Sequence, residues 1–223
     1  MGEKIILYGS DISQPTRSVR IFCELSNIPY ALNEINFLAG ENFRPEFTKI
    51  NPNQEVPAIT HGDYHLWESS AIVIYLANAF NIDNNWYPKD IKIRGRIDAY
   101  LIWHNVNIRP PISIYYRRKY VFPKFYGKPE LNPQQESELM KEVSKSLSSI
   151  EWILKENSFI ARTLSITIAD VFLYSELATA LIFLKNYDQY PHLKAWFNIV
   201  SQVPEVKKAN SFILNSLKIN PKI

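Results

Sequence analysis

Residues 56–79 read VPAITHGDYHLWESSAIVIYLANA. Val56-Pro57-Ala58-Ile59 and Tyr64-His65-Leu66 are short apolar runs on either side of His61-Gly62-Asp63. Apolar runs flanking a Gly-containing turn predict a tight β-hairpin. Ile72, Tyr75, Leu76 and Ala79 then recur at helical steps, so the hairpin feeds a helix. Upstream, Ile5-Ile6-Leu7-Tyr8 reads as a buried strand. Ser13-Gln14-Pro15 opens a helix carrying Val19, Phe22 and Cys23, which Asn27 and Pro29 stop. Tyr30 to Phe37 is a second strand, and Phe43 to Ile50 a short helix ended by Asn51-Pro52. The order is β-α-β-α-β-β-α.

Beyond residue 90 only helical spacing remains. Residues 94–108 place Ile97, Leu101, His104 and Ile108 on one face, and Pro110-Pro111 must break or kink that helix because neither can donate to its ladder. Leu139, Val143, Leu147, Ile150 and Leu154 form an amphipathic stripe within 134–155. Residues 167–184 are apolar on nearly every side, which predicts a central buried helix. Two further helices are predicted over 192–200 and 206–217. The fold class is therefore α/β followed by all-α, with one domain over 1–80, a second over 91–223, and a junction where Asn, Asp and Pro cluster between Asn81 and Asp90.

The 223 residues suffice for a substantial core, and the net charge of +3 is too mild to suggest a nucleic-acid binder by itself. Residues 1–80 hold 5 basic and 9 acidic side chains, against 20 and 13 in the remainder, as two separately built halves or an uneven surface would give. A single Cys excludes an intramolecular disulfide framework and a Cys-based zinc site, and the four His show no metal-ligand grouping. Met1-Gly2-Glu3-Lys4 does not begin a signal peptide, and no apolar run reaches the ~20 residues of a membrane span. The expectation is a cytoplasmic globular protein with no membrane partner.

Four motifs follow one another: Ser13-Gln14-Pro15-Thr16-Arg17, Asn51-Pro52 leading to Val56-Pro57-Ala58-Ile59, Glu68-Ser69-Ser70-Ala71-Ile72, and Thr167-Ile168-Ala169-Asp170. In this order the chain resembles a glutathione transferase. Trp86-Tyr87-Pro88 and the segment from Phe122 to Phe125 make it most similar to the theta class. The resemblance implies a thioredoxin-like first domain, glutathione as co-substrate without a metal, a small hydrophobic electrophile as second substrate, and a homodimer. The reaction implied is attack by the glutathione thiolate on the electrophile, a detoxifying conjugation.

A free thiol is mostly protonated at neutral pH, so the protein must favour the anion. Ser13, between the first strand and the first helix, can donate a hydrogen bond to the sulfur, aided by the helix dipole. A shift of ~2 units corresponds to roughly 2.7 kcal/mol, within reach of one charge-assisted hydrogen bond and the dipole. The same residue also reads as a plain helix cap, and Ser10 is a nearby competitor. The resemblance implies a cis Val56-Pro57 bond whose backbone pairs with the cysteinyl unit. It implies Glu68 and Ser69 as partners of the γ-glutamyl end, where a capped helix start is an equally sound reading. It implies Asn42, Glu55 and Arg109 as the remaining glutathione contacts. Glu55 stands where relatives often carry Lys or Gln, and Asn42 where theta relatives often carry His, so the glycyl carboxylate meets a carboxylate and a neutral amide.

Tyr115, Tyr116, Arg117 and Phe122 fall in the segment implied to line the electrophile pocket; a packed helix with a solvated basic face fits the same residues. Trp103, Trp196, His104 and Cys23 read as core. Thr167 and Asp170 read as a structural capping pair. Two alternatives stand beside the enzyme: a non-catalytic interaction module built on the same fold, and weak nucleic-acid binding through Arg117-Arg118-Lys119.

Overall fold

The structure, a computed structural model, describes residues 4–82 and 85–219. Met1 to Glu3 of the expected leader-free start, Asp83 and Asn84 of the expected junction, and residues 220–223 of the expected second domain lie outside the described residues. The chain opens with β1 (Ile5–Gly9), α1 (Gln14–Leu25) and β2 (Tyr30–Glu34). Two single 3₁₀ turns and α2 (Pro45–Thr48) lead to β3 (Ala58–His61), β4 (Tyr64–Trp67) and α3 (Ser69–Ala79). Then follow α4 (Ile91–Asn107), α5 (Arg109–Tyr116), a π turn (Arg117–Val121), α6 (Phe122–Tyr126), α7 (Pro133–Glu156), α8 (Ile168–Ala180), α9 (Pro191–Val200) and α10 (Pro204–Ile219).

The sheet order is β2-β1-β3-β4, with β1 parallel to β2 and antiparallel to β3, and β3 antiparallel to β4. The predicted hairpin is the β3–β4 pair, in register at His61 and Tyr64. The predicted second strand ends three residues early: Asn36 Oδ1 accepts from Ala39 N and starts a 3₁₀ turn at Phe37. Short-range capping there replaces ladder pairing.

Pro110-Pro111 do break the helix, and the chain restarts at once. α4 ends at Asn107 and α5 begins at Arg109, with the prolines in its first turn, where a missing N–H costs nothing. The π turn was not foreseen. There Phe122 N donates to Arg117 O, five residues back, so α5, the π turn and α6 run on as one bulged helix.

One apolar core joins the two halves. Leu7, Ile59, Ile72 and Leu76 from the sheet half share it with Ile97, Leu101, Phe172 and Trp196 from the helices. Trp103 is half-buried against this core, Trp196 is enclosed, and Cys23 is buried. Burial pushes the Cys23 thiol up to about 12, with Glu24 adding to the shift.

α1 lies at the seam between halves, and Arg17 in it is fully buried. Its Nε donates to Asn210 Oδ1 at 2.9 Å, Nη1 to the carbonyls of Asp11 at 2.9 Å and Ile12 at 3.1 Å, and Nη2 to Ser175 O at 3.0 Å and Thr179 Oγ1 at 2.7 Å. A guanidinium has five N–H groups, and five acceptors meet it here. Burial lowers its pKa to about 10, which leaves it charged at neutral pH.

Asp170 ties the start of α8 to its surroundings. Thr167 N and Oγ1 donate to its Oδ2 at 2.9 and 3.1 Å, while Ile160 N and Trp196 Nε1 donate to Oδ1 at 3.1 and 2.8 Å. The expected capping pair is present, and the carboxylate also fixes two other segments.

Candidate active site

Ser13 is the N-cap of α1, with φ −76° and ψ 116°, and Pro15 in the first helical turn. β1 ends at Gly9, which permits a close approach: a Cβ there would lie 2.4 Å from Thr16 Cγ2 and 2.6 Å from Thr16 Oγ1. Arg17 fixes the loop between by holding the carbonyls of Asp11 and Ile12. Ser13 Oγ accepts from Thr16 N at a long 3.4 Å. Such a weak bond occupies one lone pair and leaves the hydroxyl hydrogen free to donate.

Ser13 faces a cavity of about 330 Å³ between the two halves. One wall is Asn42, Phe43, Asn53, Gln54, Glu55 and Val56; the other is Arg109, Ser113, Tyr116, Arg117, Val121, Phe122 and Tyr126. Ser10 lines an adjoining depression that shares Ile12 and Phe37 with the Ser13 cavity, but it does not line that cavity itself.

The Val56-Pro57 bond is cis. Val56 reaches the cavity, while Pro57 is buried behind it. The Ala58–Trp67 pair closes the hairpin ladder, so the next residues outward, Pro57 and Glu68, are neighbours across it. Glu68 is exposed and has φ +68° and ψ 109°, a backbone region rarely taken by a residue with a side chain. Ser69, 7 % exposed, is the first residue of α3. Neither Glu68, Ser69 nor Pro57 lines the Ser13 cavity; they lie beyond its Val56 edge.

Asn42 donates through Nδ2 to Gln54 O at 2.9 Å, and its buried Oδ1 takes no hydrogen bond among the described residues. The amide is thereby fixed: the reverse orientation would set two acceptors against each other. One of the two amide N–H groups of Asn42 is thus spent on its own wall. Glu55 is exposed at the cavity rim, its carbonyl accepting from Asn51 Nδ2 at 2.6 Å.

Arg109 lies across from Ser13. Its Nη1 donates to Gln14 Oε1 at 2.6 Å, and Gln14 Nε2 is in turn anchored on Ser18 Oγ at 3.1 Å and Phe172 O at 3.2 Å. The guanidinium therefore sits over the first residue of α1, adding positive potential to that of the helix start.

Tyr116, Arg117 and Phe122 line the cavity, and the Arg117 guanidinium stands 5.5 Å from the Phe122 ring centre. Tyr115 is a correction. It is 5 % exposed, its ring packs 4.5 Å from that of Phe183, and its hydroxyl donates to Glu136 at 2.8 Å. The helix turns about 100° between the two tyrosines, which sets Tyr115 on the Phe183 and Glu136 side and Tyr116 on the cavity. His104 is buried as expected, but only half satisfied: Nδ1 pairs with Tyr100 Oη at 3.2 Å and Nε2 has no hydrogen bond among the described residues.

Sequence reading passed over Gln14, Ser113, Thr179 and Glu176, all of which line the cavity. The available signal for Glu176 was a carboxylate deep in an apolar helix, beyond the capping Asp170. Among the described residues, no three His, Cys, Asp or Glu are grouped so as to hold a metal ion.

Family models confirm what this architecture suggests. That for the glutathione S-transferase N-terminal domain matches residues 3–78, and that for the C-terminal domain matches residues 117–218. The chain belongs to the glutathione S-transferase family. It is 32% identical to glutathione S-transferase theta-3 of Mus musculus over 191 residues, 85% of this chain and 79% of that protein. It is 34% identical to glutathione S-transferase T1 of Arabidopsis thaliana over 209 residues, 92% of this chain and 84% of that protein. Among solved structures, the human theta-class glutathione transferase in complex with the glutathione conjugate of 1-menaphthyl sulfate superposes with a TM-score of 0.87 at 28% identity, covering 98% of this chain and 91% of that one. These relatives are named as transferases, so the interaction-module alternative is not favoured.

Proposed function

We propose that this glutathione S-transferase family member conjugates glutathione to small hydrophobic electrophiles, with Ser13 as the hydrogen-bond donor that stabilises the thiolate. The observation that carries this reading is the meeting of three features at one point of the cavity. They are a Ser13 hydroxyl with its hydrogen free, the N-terminus of α1, and the Arg109 guanidinium held on Gln14.

Glutathione lies extended along the Val56 edge in this reading, its cysteinyl backbone paired there as an added strand. Its γ-glutamyl carboxylate meets the start of α3 at Ser69, and its amino group meets Glu68. The glycyl end points the other way, toward Asn42 and Glu55. The sulfur then reaches Ser13, which donates to it while Arg109 and the α1 dipole add positive potential. The electrophile stands against Tyr116, Arg117 and Phe122. The thiolate lone pair forms the new carbon–sulfur bond as the leaving group departs with its electron pair. Holding both reactants in one cleft supplies much of the acceleration.

The division of labour follows the two halves: residues 1–80 bind glutathione and residues 91–223 supply the electrophile wall. We place the protein in the cytoplasm in a detoxifying role; among the described residues no helix is long and apolar enough to cross a membrane, which is compatible with that placement. A homodimer is supported by Ile91, Ile102 and Val106, which share one face of α4 and are 83%, 68% and 67% exposed. Sedimentation of the wild type against the Ile102→Glu, Val106→Glu double variant tests this: a dimer that becomes a monomer supports it, and a wild-type monomer refutes it.

The central test is turnover of a panel of small electrophiles by wild type and Ser13→Ala. Loss of ~10²-fold in kcat/KM is expected, the scale of removing one donor aimed at developing charge. Turnover unchanged by Ser13→Ala would remove Ser13 from the mechanism, and no turnover at all would remove the enzymatic reading.

A further inference from the structure

Every residue of α8 is buried, and it carries two carboxylates. Four donors satisfy Asp170. Glu176, 1 % exposed, has an Oε2 with no hydrogen-bond partner among the described residues, although burying an unpaired carboxylate is costly. Two nitrogen-bearing side chains face it. Arg109 Nη1 from α5 lies 3.5 Å from Oε2, and His104 Nε2 from α4 lies 3.7 Å away. From α1, the enclosed Arg17 guanidinium feels its field, as do the buried phenols of Tyr100 and Tyr187. Glu176 also lines the floor of the Ser13 cavity.

We infer that Glu176 is a positioning residue for the thiolate site, tethering Arg109 so that its guanidinium stays on Gln14 beside Ser13. Arg109 is the most exposed member of this group, with a third of its side chain open to solvent. Left to itself, such a long side chain gains rotamer freedom by turning to solvent. Two fixed points oppose that. Gln14 Oε1 is held because Nε2 of the same amide is bonded to Ser18 and Phe172. Glu176 is held by complete enclosure in α8. The carboxylate also balances Arg17 against Arg109, whose charges otherwise repel across the loop that carries Ser13. Glu176 touches no reactant in this arrangement. It acts through Arg109.

The inference rests on the proposed roles of Ser13 and Arg109, and one experiment separates the two levels. The ultraviolet absorbance of the thiolate of bound glutathione is titrated in wild type, Glu176→Gln, Glu176→Asp, Arg109→Ala and the Glu176→Gln, Arg109→Ala double variant, with kcat and KM measured on each. Glu176→Gln is expected to raise the bound sulfur's pKa by about one unit and lower kcat about tenfold, with a smaller change in KM. Glu176→Asp, which keeps the charge with a shorter reach, recovers part of the loss. In the Arg109→Ala background, Glu176→Gln adds nothing further, since the residue it acts through is gone. An unchanged sulfur titration in Glu176→Gln, or a full additional loss in the double variant, overturns the inference. If neither single Glu176 variant folds, the carboxylate belongs to the scaffold and the inference is likewise overturned. A wild-type complex whose sulfur titrates as in buffer refutes the underlying reading instead.

Discussion

Nη1 of Arg17 lies 3.1 Å from the carbonyl oxygen of Ile12, the residue that precedes Ser13. A side chain in the first helix thus determines where the loop before that helix runs. The same guanidinium reaches α8 and α10, so the position of Ser13 depends on how the two halves meet. Arg17→Lys keeps the charge but cannot reproduce a planar fork with five donors. It is expected to cost about 3 kcal/mol in urea denaturation, because buried acceptors lose their partners. Turnover at temperatures where the variant is folded should also fall. A variant with wild-type stability would show that the loop is fixed by other contacts.

Gly9→Ala tests the close approach of β1 and α1. The added Cβ would overlap Cγ2 and Oγ1 of Thr16, and rotating that short side chain gives no escape because its own Cβ is 3.1 Å away. A loss of ~1–3 kcal/mol is expected, the range for overpacking a tight site. Denaturation midpoints check this directly.

Asp170→Asn replaces an oxygen that takes two donors by an amide that presents hydrogens to them, whichever way it turns. A capping loss alone would be ~0.5–2 kcal/mol. Four donors converging on a fully enclosed group set the expectation higher, at about 3 kcal/mol or more. A loss confined to the capping range would mean that Ile160 and Trp196 find other acceptors.

Cys23 is 1% exposed, and burial holds its thiol near 12, far from the thiolate range at neutral pH. In the native protein it should not react with a chromogenic disulfide reagent at pH 8 on the timescale of minutes. In denaturant it should react at once. Rapid native labelling would place it outside the core.

Glu55→Lys exchanges a negative rim charge for a positive one where the glycyl carboxylate is proposed to lie. The site is solvent-exposed, so the gain is about 1 kcal/mol or less, a drop in KM for glutathione of up to ~5-fold that added salt should erode. An unchanged KM would mean that the Glu55 side chain points into solvent in the complex.

Much of this molecule was legible before its coordinates. His61-Gly62-Asp63 specified the hairpin because turn chemistry is local, and the Leu139 to Leu154 stripe specified α7 because its spacing is. Ser13, Val56 and Phe122 stood out as parts of motifs and Arg109 through the resemblance alone, and the four line one cavity. What escaped was what depends on rotation and depth. Tyr115 and Tyr116 are indistinguishable in a string, yet about 100° of helix turn sends one to Glu136 and the other to the cavity. The Asn36 cap that ends β2 early competes with a strand pattern that continues past it. Glu176 carries no motif, and its partners come from helices whose approach only the assembled fold decides.

The π turn at Arg117–Val121 has a consequence for how this wall can vary. A bulge of this kind holds one residue more than an ordinary turn but winds through about the same angle, so the residues after it stay in phase with those before it. Deleting a single position there would restore an unbroken α-helical path and leave Phe122 and Tyr126 facing the same way. The bulge therefore absorbs a one-residue change in chain length within the wall itself. Loss of one codon at this joint would shorten the path while leaving the aromatics beyond it, and Ser13, in place.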